Sequence, residues 1–395
     1  MESIIQFLRD AKNRGQDPLQ ALRDRKTNIQ IYRNPAYDDL VGLKCLGKEL
    51  GKIDRECNGI VIDVRRIIPI AVPFNVWRND NDNGDALFNW CNFSYTDKED
   101  GFLAILYYYD DHWQVNTDDS FGYGKVPNFS GNWRDLFWKH APESLIDGLR
   151  TYDRNAHTTF LFEVCAPEIR TVRKHAEPKI TLVGINNFDS RRMLTDYGVY
   201  DVMSMANRFG VNAIKFTEFY ARGVSRARIN AMAEINAYLA SKTENDPTFE
   251  GVVLRDDHNR RLVIQTETFK TLRRLKGIKS MKPENIVPLC MKGENEQFFS
   301  ALPDCVSAFK TVSGKLTEAF KDLSETWMSH RELETNKDFA EQVKEHPFGW
   351  LLFKMRKINP GGSPEDLRQL WRDKCHHQKI SEKLFGDQVL EYTEI

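Results

Sequence analysis

Apolar residues first recur at helical spacing at Ile4, Ile5, Leu8 and Ala11, which predicts a helix over residues 2–14. Short apolar runs then take over. Gly59–Val64 and Ile67–Val72 read as strands, followed by an acidic, Asn-rich loop from Asn79 to Asp85. Phe102–Tyr109 and His112–Thr117 read as a hairpin turning at Asp110-Asp111. A helix is predicted over 134–150, strands over 158–164 and 179–186, and helices over 192–208 and 222–241, the last closed by polar residues and Pro247. A further hairpin pairs Glu250–Arg255 with Arg261–Gln265 across Asp256-Asp257-His258-Asn259. Past about residue 285 the texture changes. Helical periodicity rich in Phe, Leu and Trp runs from Glu294 to Leu390, and Ser363 with Glu365 and Asp366 marks a helix start. The pattern divides the chain into an α+β domain over residues 1–285 and an α-helical domain over 286–395.

Composition narrows the class only a little. With 395 residues, 41% hydrophobic and 29% charged, the chain can bury a large core. No apolar run approaches the roughly 18 residues that span a bilayer, so no membrane partner is expected. The first ten residues lack a basic head and a cleavage site, so no secretory signal is read and a cytoplasmic or nucleoplasmic setting is expected. The seven cysteines form no Cys-x-x-Cys pair, which argues against a disulfide frame or a zinc knuckle. Cys375-His376-His377 is the one metal-like run, and adjacent residues rarely hold a single ion together. The net charge of -1 counts against nucleic-acid binding by bulk charge. A local candidate survives in Lys270, Arg273, Arg274 and Lys276, a basic stretch that reads equally as a solvated helix face.

The most informative chemistry is Tyr95-Thr96-Asp97-Lys98-Glu99-Asp100-Gly101, ahead of the apolar run from Phe102. A lysine two residues before Asp and three before Gly can present an amine to a nucleotide α-phosphate and hold the nucleotide as a phosphoramidate. Alone, the segment is equally a charged turn before a strand. Three further segments accompany it: Glu56-Cys57-Asn58-Gly59-Ile60-Val61, Phe162-Glu163-Val164-Cys165-Ala166-Pro167-Glu168-Ile169-Arg170-Thr171-Val172, and Glu250-Gly251-Val252-Val253. In this order they resemble the phage-type RNA ligases (the ligase-one branch) of the covalent nucleotidyltransferase superfamily. The Ala-Pro-x-x-Arg-x-Val tail is the most specific piece, and the resemblance spans roughly residues 50–280.

The resemblance implies a ligase-type domain of antiparallel sheets with flanking helices, followed by a helical C-terminal domain that helps choose the RNA, often a tRNA-like one. It implies Lys98 as the nucleophile that carries AMP from ATP. Nucleotide contacts would come from Thr96, Asp100, Gly101, Asn58 and Glu163, the last on the sugar. Glu250 would help hold a divalent cation, for which hard oxygen ligands suit magnesium. Glu163 and Glu250 also read as ordinary carboxylates at strand ends. The implied activity is RNA repair by adenylylation, with AMP passed to a 5′-phosphate and displaced by a 3′-hydroxyl.

Departures from the family pattern all remove positive charge. Asn58 stands where the upstream motif has Arg. Asn75-Val76-Trp77-Arg78 follows Pro73-Phe74 where a Lys is normal. Asp118 and Asp119 replace a basic residue, and Val263-Ile264-Gln265 replaces Lys-x-Lys. Each lost charge-assisted contact costs about 1.5–3 kcal/mol, so together they should remove most ATP-dependent turnover. Three explanations remain open. Substitute cations such as Arg78, Arg255, Arg260 or Arg261 enter the pocket; or the donor or acceptor differs; or the chain binds a nucleotide or RNA ends without turnover.

Overall fold

The computed structural model describes residues 3–25, 28–46, 52–74, 78–79, 88–153, 157–169, 172–188, 194–221, 223–276, 282–292 and 306–386. By internal contacts the chain divides into two compact units, Met1–Thr266 and Glu267–Ile395. That boundary falls earlier than the change of texture near residue 285, because the helix Glu267–Lys276 groups with the second unit.

The first unit is α+β and its described strands build three sheets. Helices α1 (Ile4–Asn13) and α2 (Pro18–Asp24) precede β1 (Ile29–Arg33) and β2 (Leu40–Cys45). After α3 (Lys52–Glu56) come β3 (Asn58–Asp63) and β4 (Ile68–Ala71), completing an antiparallel sheet in the order β1-β2-β3-β4. Ile4, Leu8, Leu19 and Leu22 cover its outer face.

The next strands are β5 (Arg78–Asn79), β6 (Asn92–Lys98), β7 (Phe102–Tyr109) and β8 (His112–Asn116). Asp110 and Asp111 both adopt positive φ, the requirement of a tight hairpin turn between β7 and β8. The single helix predicted over 134–150 is two, α4 (Trp133–His140) and α5 (Glu143–Arg150). Pro142 disfavours helical backbone at the residue before it, and Ala141 sits at ψ 124, so the helix stops and restarts.

Then follow β9 (Thr158–Cys165), β10 (Lys179–Phe188) and β11 (Leu194–Asp196). The helix predicted from 192 begins later, as α6 (Val199–Phe209), because the backbone N–H of Gly198 donates to Asp201 and starts it there. Residues 192–193 of that prediction lie outside the described residues. Beyond β12 (Asn212–Ala213) and β13 (Phe216–Tyr220), the helix expected over 222–241 is α7 (Ala227–Asn245). The unit closes with the hairpin β14 (Gly251–Asp256) and β15 (Arg261–Gln265).

Two of the sheets face each other. One has the order β13-β6-β14-β15-β5, the other β11-β10-β9-β7-β8 with β12 beside β10. Side chains alternate along a strand, so each sheet has one covered face and one free face. Phe93, Tyr95, Val252 and Leu254 pack under Ala231, Ile235 and Leu239 of α7. Ile180, Leu182, Phe160 and Phe162 pack under α5 and α6 through Leu145, Leu149, Val202 and Phe209. The intervening residues of the same strands are left to line the space between the sheets.

In the second unit the described elements are all helical. Helices Val306–His330, Asn336–Val343, Gly349–Ile358 and Pro364–Arg372 enclose Trp327, Phe339, Leu351 and Leu367. Ser363 caps the last of these by accepting from the Asp366 N–H, and the Asp366 carboxylate returns the bond. The prediction for 294–305 and for 387–390 lies outside the described residues. Among the described residues no helix is long and apolar enough to cross a membrane.

Gly251 combines a left-handed backbone with no room for a side chain. Its φ is +149, and a Cβ there would stand 2.1 Å from the Ile264 carbonyl oxygen in the neighbouring strand. Gly251→Ala is expected to destabilise the chain by about 2–4 kcal/mol, read as a lower urea midpoint.

Candidate functional site

Strand β6 delivers Lys98. Phe93 and Tyr95 point into the core beneath α7, so Ser94, Thr96 and Lys98 occupy the opposite face. That face lines a cavity of about 410 Å3 between the two facing sheets, whose other wall includes Glu163 of β9 and Lys179, Thr181 and Val183 of β10. The chain crosses from one sheet to the other at Glu99-Asp100-Gly101. A Cβ at Gly101 would lie 2.4 Å from the Val164 carbonyl oxygen, so the crossing needs a glycine. Asp100 is 8% exposed, and its Oδ2 accepts from the backbone N–H of Val172 (2.9 Å) and Arg173 (2.7 Å). Asp100 and Gly101 therefore shape the turn that carries Lys98, and neither is on the cavity lining.

Lys98 Nζ donates to Glu250 Oε2 at 3.0 Å, with side-chain exposures of 21% and 4%. The register of β6 against β14 sets Lys98 opposite Gly251, which brings the adjoining Glu250 to the amine. The other oxygen, Oε1, accepts from Gln265 Nε2 at 2.7 Å. Glu163 Oε1 accepts from the Gly101 N–H at 3.0 Å. Burial alone would lower the Lys98 pKa, but Glu163, Glu250 and Asp100 oppose it and the result lies above the ordinary lysine value. Burial raises Glu250, against Lys98 and Gln265. Burial likewise pushes Glu163 up to about 7, with Lys98 opposing and Glu250 reinforcing the rise. The free protein thus holds an ammonium among carboxylates. Glu163 and Glu250 are hard oxygen donors of the kind that hold a divalent cation.

The cavity lining carries six basic side chains, Lys98, Lys179, Lys215, Lys242, Arg255 and Arg261, against the acids Asp97, Glu99 and Glu163. Arg255 and Arg261 lie at the end away from Lys98. Arg255 pairs with Ser94 in register, four residues from Lys98 and roughly 13 Å along the strand. Both guanidiniums are held by Asp196, and Arg261 also stacks 4.0 Å from the Phe74 ring centre. Burial first, then Arg261, lowers Arg255 to about 10. Nearer Lys98, the residues flanking it each hold a lysine. Glu99 pairs with Lys179, and Asp97 accepts from Lys242 (3.0 Å) and from the Tyr238 hydroxyl (2.6 Å). Lys215 is exposed and makes no ion pair among the described residues.

The other candidates lie elsewhere. Asn58 is not on the cavity lining; its amide donates to the Phe74 carbonyl (3.2 Å) and its Oδ1 accepts from Lys44 (3.3 Å), which also pairs with Asp118. Arg78 pairs through its backbone with Leu262, and its side chain lies outside the described residues. Arg260 is committed to Asp256 in the β14–β15 turn. Lys270 pairs with Glu267 at 2.9 Å and Arg273 is exposed, both on the first helix of the second unit, while the side chains of Arg274 and Lys276 lie outside the described residues. Cys375 and His376 lie together beside Asp373, His376 also bonding Lys354, while His377 bonds the Arg372 carbonyl instead, so the three residues of the run do not converge on one point.

Sequence reasoning missed Lys179, Lys215, Lys242 and Thr181. The alternation Phe93-x-Tyr95 could have revealed β6, but no local pattern marks the lysines, which only sheet pairing and α7 bring to the cavity.

The raised Glu163 carboxyl has a pH signature. Between its ordinary value of 4.5 and about 7, the folded chain binds a proton that the unfolded chain has released. Stability therefore falls as pH rises through that window, and the loss is complete above it. Glu163→Gln cannot ionise and keeps an oxygen for the Gly101 N–H. The difference in melting temperature, variant minus wild type, is expected to grow in the variant's favour from pH 5 to pH 8, as read by calorimetry.

Residues 74–277 match the family model described as RNA ligase. An RNA ligase of Rhodothermus phage RM378 is 28% identical over 114 residues, covering 26% of this chain and 25% of that protein's length. Among solved structures, an archaeal ATP-dependent RNA ligase aligns with a TM-score of 0.44 and 12% identity, over 90% of this chain and 80% of that one. A Naegleria gruberi RNA ligase variant, solved with ATP and Mn, aligns with a TM-score of 0.37 and 16% identity over 51% and 57%. A putative ATP-dependent DNA ligase from Aquifex aeolicus aligns with a TM-score of 0.43 and 13% identity over 86% and 79%. With its match extending over more than half the sequence, this chain belongs to the RNA ligase family.

Proposed function

We propose that the chain is an ATP-dependent RNA ligase-like nucleotidyltransferase with Lys98 as its nucleophile. The observation that carries the reading is Lys98 at 3.0 Å from Glu250, on the wall of a cavity with further basic residues. In the first step the Lys98 Nζ lone pair attacks the α-phosphorus of ATP. The bond from that phosphorus to the bridging oxygen breaks, and pyrophosphate leaves. In the second, an oxygen of an RNA 5′-phosphate attacks the same phosphorus and the P–N bond breaks, freeing Lys98. In the third, a 3′-hydroxyl oxygen attacks the activated 5′-phosphorus, its proton passes to solvent, the bond from that phosphorus to the oxygen bridging to AMP breaks, and AMP departs. Positioning and charge neutralisation carry such transfers.

Before the first step Lys98 must lose its proton, which its neighbouring carboxylates oppose. Glu250, with Glu163 nearby, would hold a divalent cation such as magnesium, whose chemistry is to neutralise phosphate oxygens and these carboxylates. Lys179 and Lys242 sit beside Lys98 and would grip the polyphosphate in place of the cations missing from the family positions. Each is now held by an acid flanking Lys98, so phosphate oxygens would compete with Glu99 and Asp97 for them. Thr96 lines the same wall and would contact the nucleotide. The acceptor is RNA, with a tRNA-like end as the finer form, and Lys270 and Arg273 of the second unit are its candidate contacts. An ATP-using reaction fits the cytoplasmic or nucleoplasmic setting expected from the sequence.

Incubation with α-labelled ATP and magnesium tests the reading. A labelled protein band that is lost in Lys98→Ala is expected. No band with any of the four nucleotides would favour a binding protein without turnover, and a band indifferent to RNA ends would favour a different acceptor. The double variant Lys179→Ala, Lys242→Ala is expected to lose about 2–4 kcal/mol of transition-state stabilisation in adenylylation, read from kcat/KM for ATP.

A further inference from the structure

Thr181 is a polar residue of the cavity lining that is buried and unpaired. It is 3% exposed, and its hydroxyl has no hydrogen-bond partner among the described residues. A buried hydroxyl left unpaired costs free energy that a valine of the same shape would avoid. The walls around it do use valine, at Val183 and Val253.

Its position suggests what the hydroxyl meets. In the register of β10 against β9, Thr181 lies directly opposite Glu163. Cross-strand side chains of such a pair stand on one face with Cβ atoms about 5 Å apart. Glu163 uses Oε1 for the Gly101 N–H. On its other side Thr181 is in register with Asn212, whose amide donates to the Ile180 carbonyl. Lys179, Thr181 and Val183 follow one another at strand spacing along the same wall: a cation, a hydroxyl and an apolar surface. On the proposed function Lys98 and Lys179 mark the phosphate end, and Thr181 is the next residue of that wall after Lys179.

We infer that Thr181 adds a second contact to the nucleotide's ribose, its hydroxyl bonding the sugar hydroxyl next to the one that the family resemblance assigns to Glu163. Thr181 thereby sets a preference for a ribonucleotide over a deoxyribonucleotide donor. This rests on the nucleotide reading of the cavity proposed above.

The test compares wild type, Thr181→Val and Thr181→Ser. Each is titrated with non-hydrolysable analogues of ATP, 2′-dATP and 3′-dATP by calorimetry, and each is assayed for adenylylation with the three parent nucleotides. Wild type and Thr181→Ser are expected to favour ATP. Thr181→Val is expected to weaken ATP by about three- to tenfold while leaving one of the two deoxynucleotides unchanged, since that nucleotide already lacks the contact. An equal change for all three nucleotides, or no change for any, overturns the proposal while wild-type binding stands. Wild type that binds none of the three overturns the nucleotide reading itself, and this inference with it.

Discussion

A half-buried ammonium held among carboxylates organises this cavity. Lys98 ends one strand of the five-stranded sheet, Glu250 lies just before its neighbour, and Glu163 comes from the facing sheet. Two acids in so dry a place would be pushed toward their neutral forms, and an isolated lysine toward its own. Together they offset one another. The consequence is a resting state in which the amine is held charged, so that in the proposed reaction it would be quiet until something else engages the carboxylates. The crossing at Glu99-Asp100-Gly101 makes this geometry possible, because Asp100 binds the loop after β9 through two backbone N–H groups and fixes where the amine emerges.

The same logic extends to the other charges around the cavity. From the sequence, few cations are expected on the strands beside Lys98, and Gln265 supplies a neutral donor to Glu250. Basic residues arrive by other routes, from β10 at Lys179 and from α7 at Lys242, each restrained by an acid beside Lys98. The arginines that sequence alone favoured as replacements, Arg255 and Arg261, belong to a separate cluster around Asp196 at the far end. Positive charge is therefore present but distributed differently, and most of it is already engaged in ion pairs.

How much of this was legible in the sequence follows from the range of the interactions. Lys98, Glu163 and Glu250 each sit in a short recognisable segment, because a strand end and its turn are local features. The hairpins at Asp110-Asp111 and Asp256–Asn259 were legible for the same reason. The break at Pro142 was written in the sequence but outweighed by the periodicity on either side. Lys179 and Thr181 were not legible as site residues. Their place on the cavity wall depends on which face of β10 is buried under α5 and α6, and on the pairing that sets Thr181 against Glu163. Lys242 depends on the packing of a helix on the opposite sheet. Those are facts of topology rather than of local pattern.

The charge state of the Lys98 amine in the free protein is the point on which these arguments turn. A direct determination is an NMR titration of the Lys98 side chain, in protein stripped of divalent metal and nucleotide and assigned by comparison with Lys98→Arg. The account predicts a midpoint above that of an ordinary exposed lysine, falling in Glu250→Gln. A midpoint at or below the ordinary lysine value, unchanged in that variant, would contradict it.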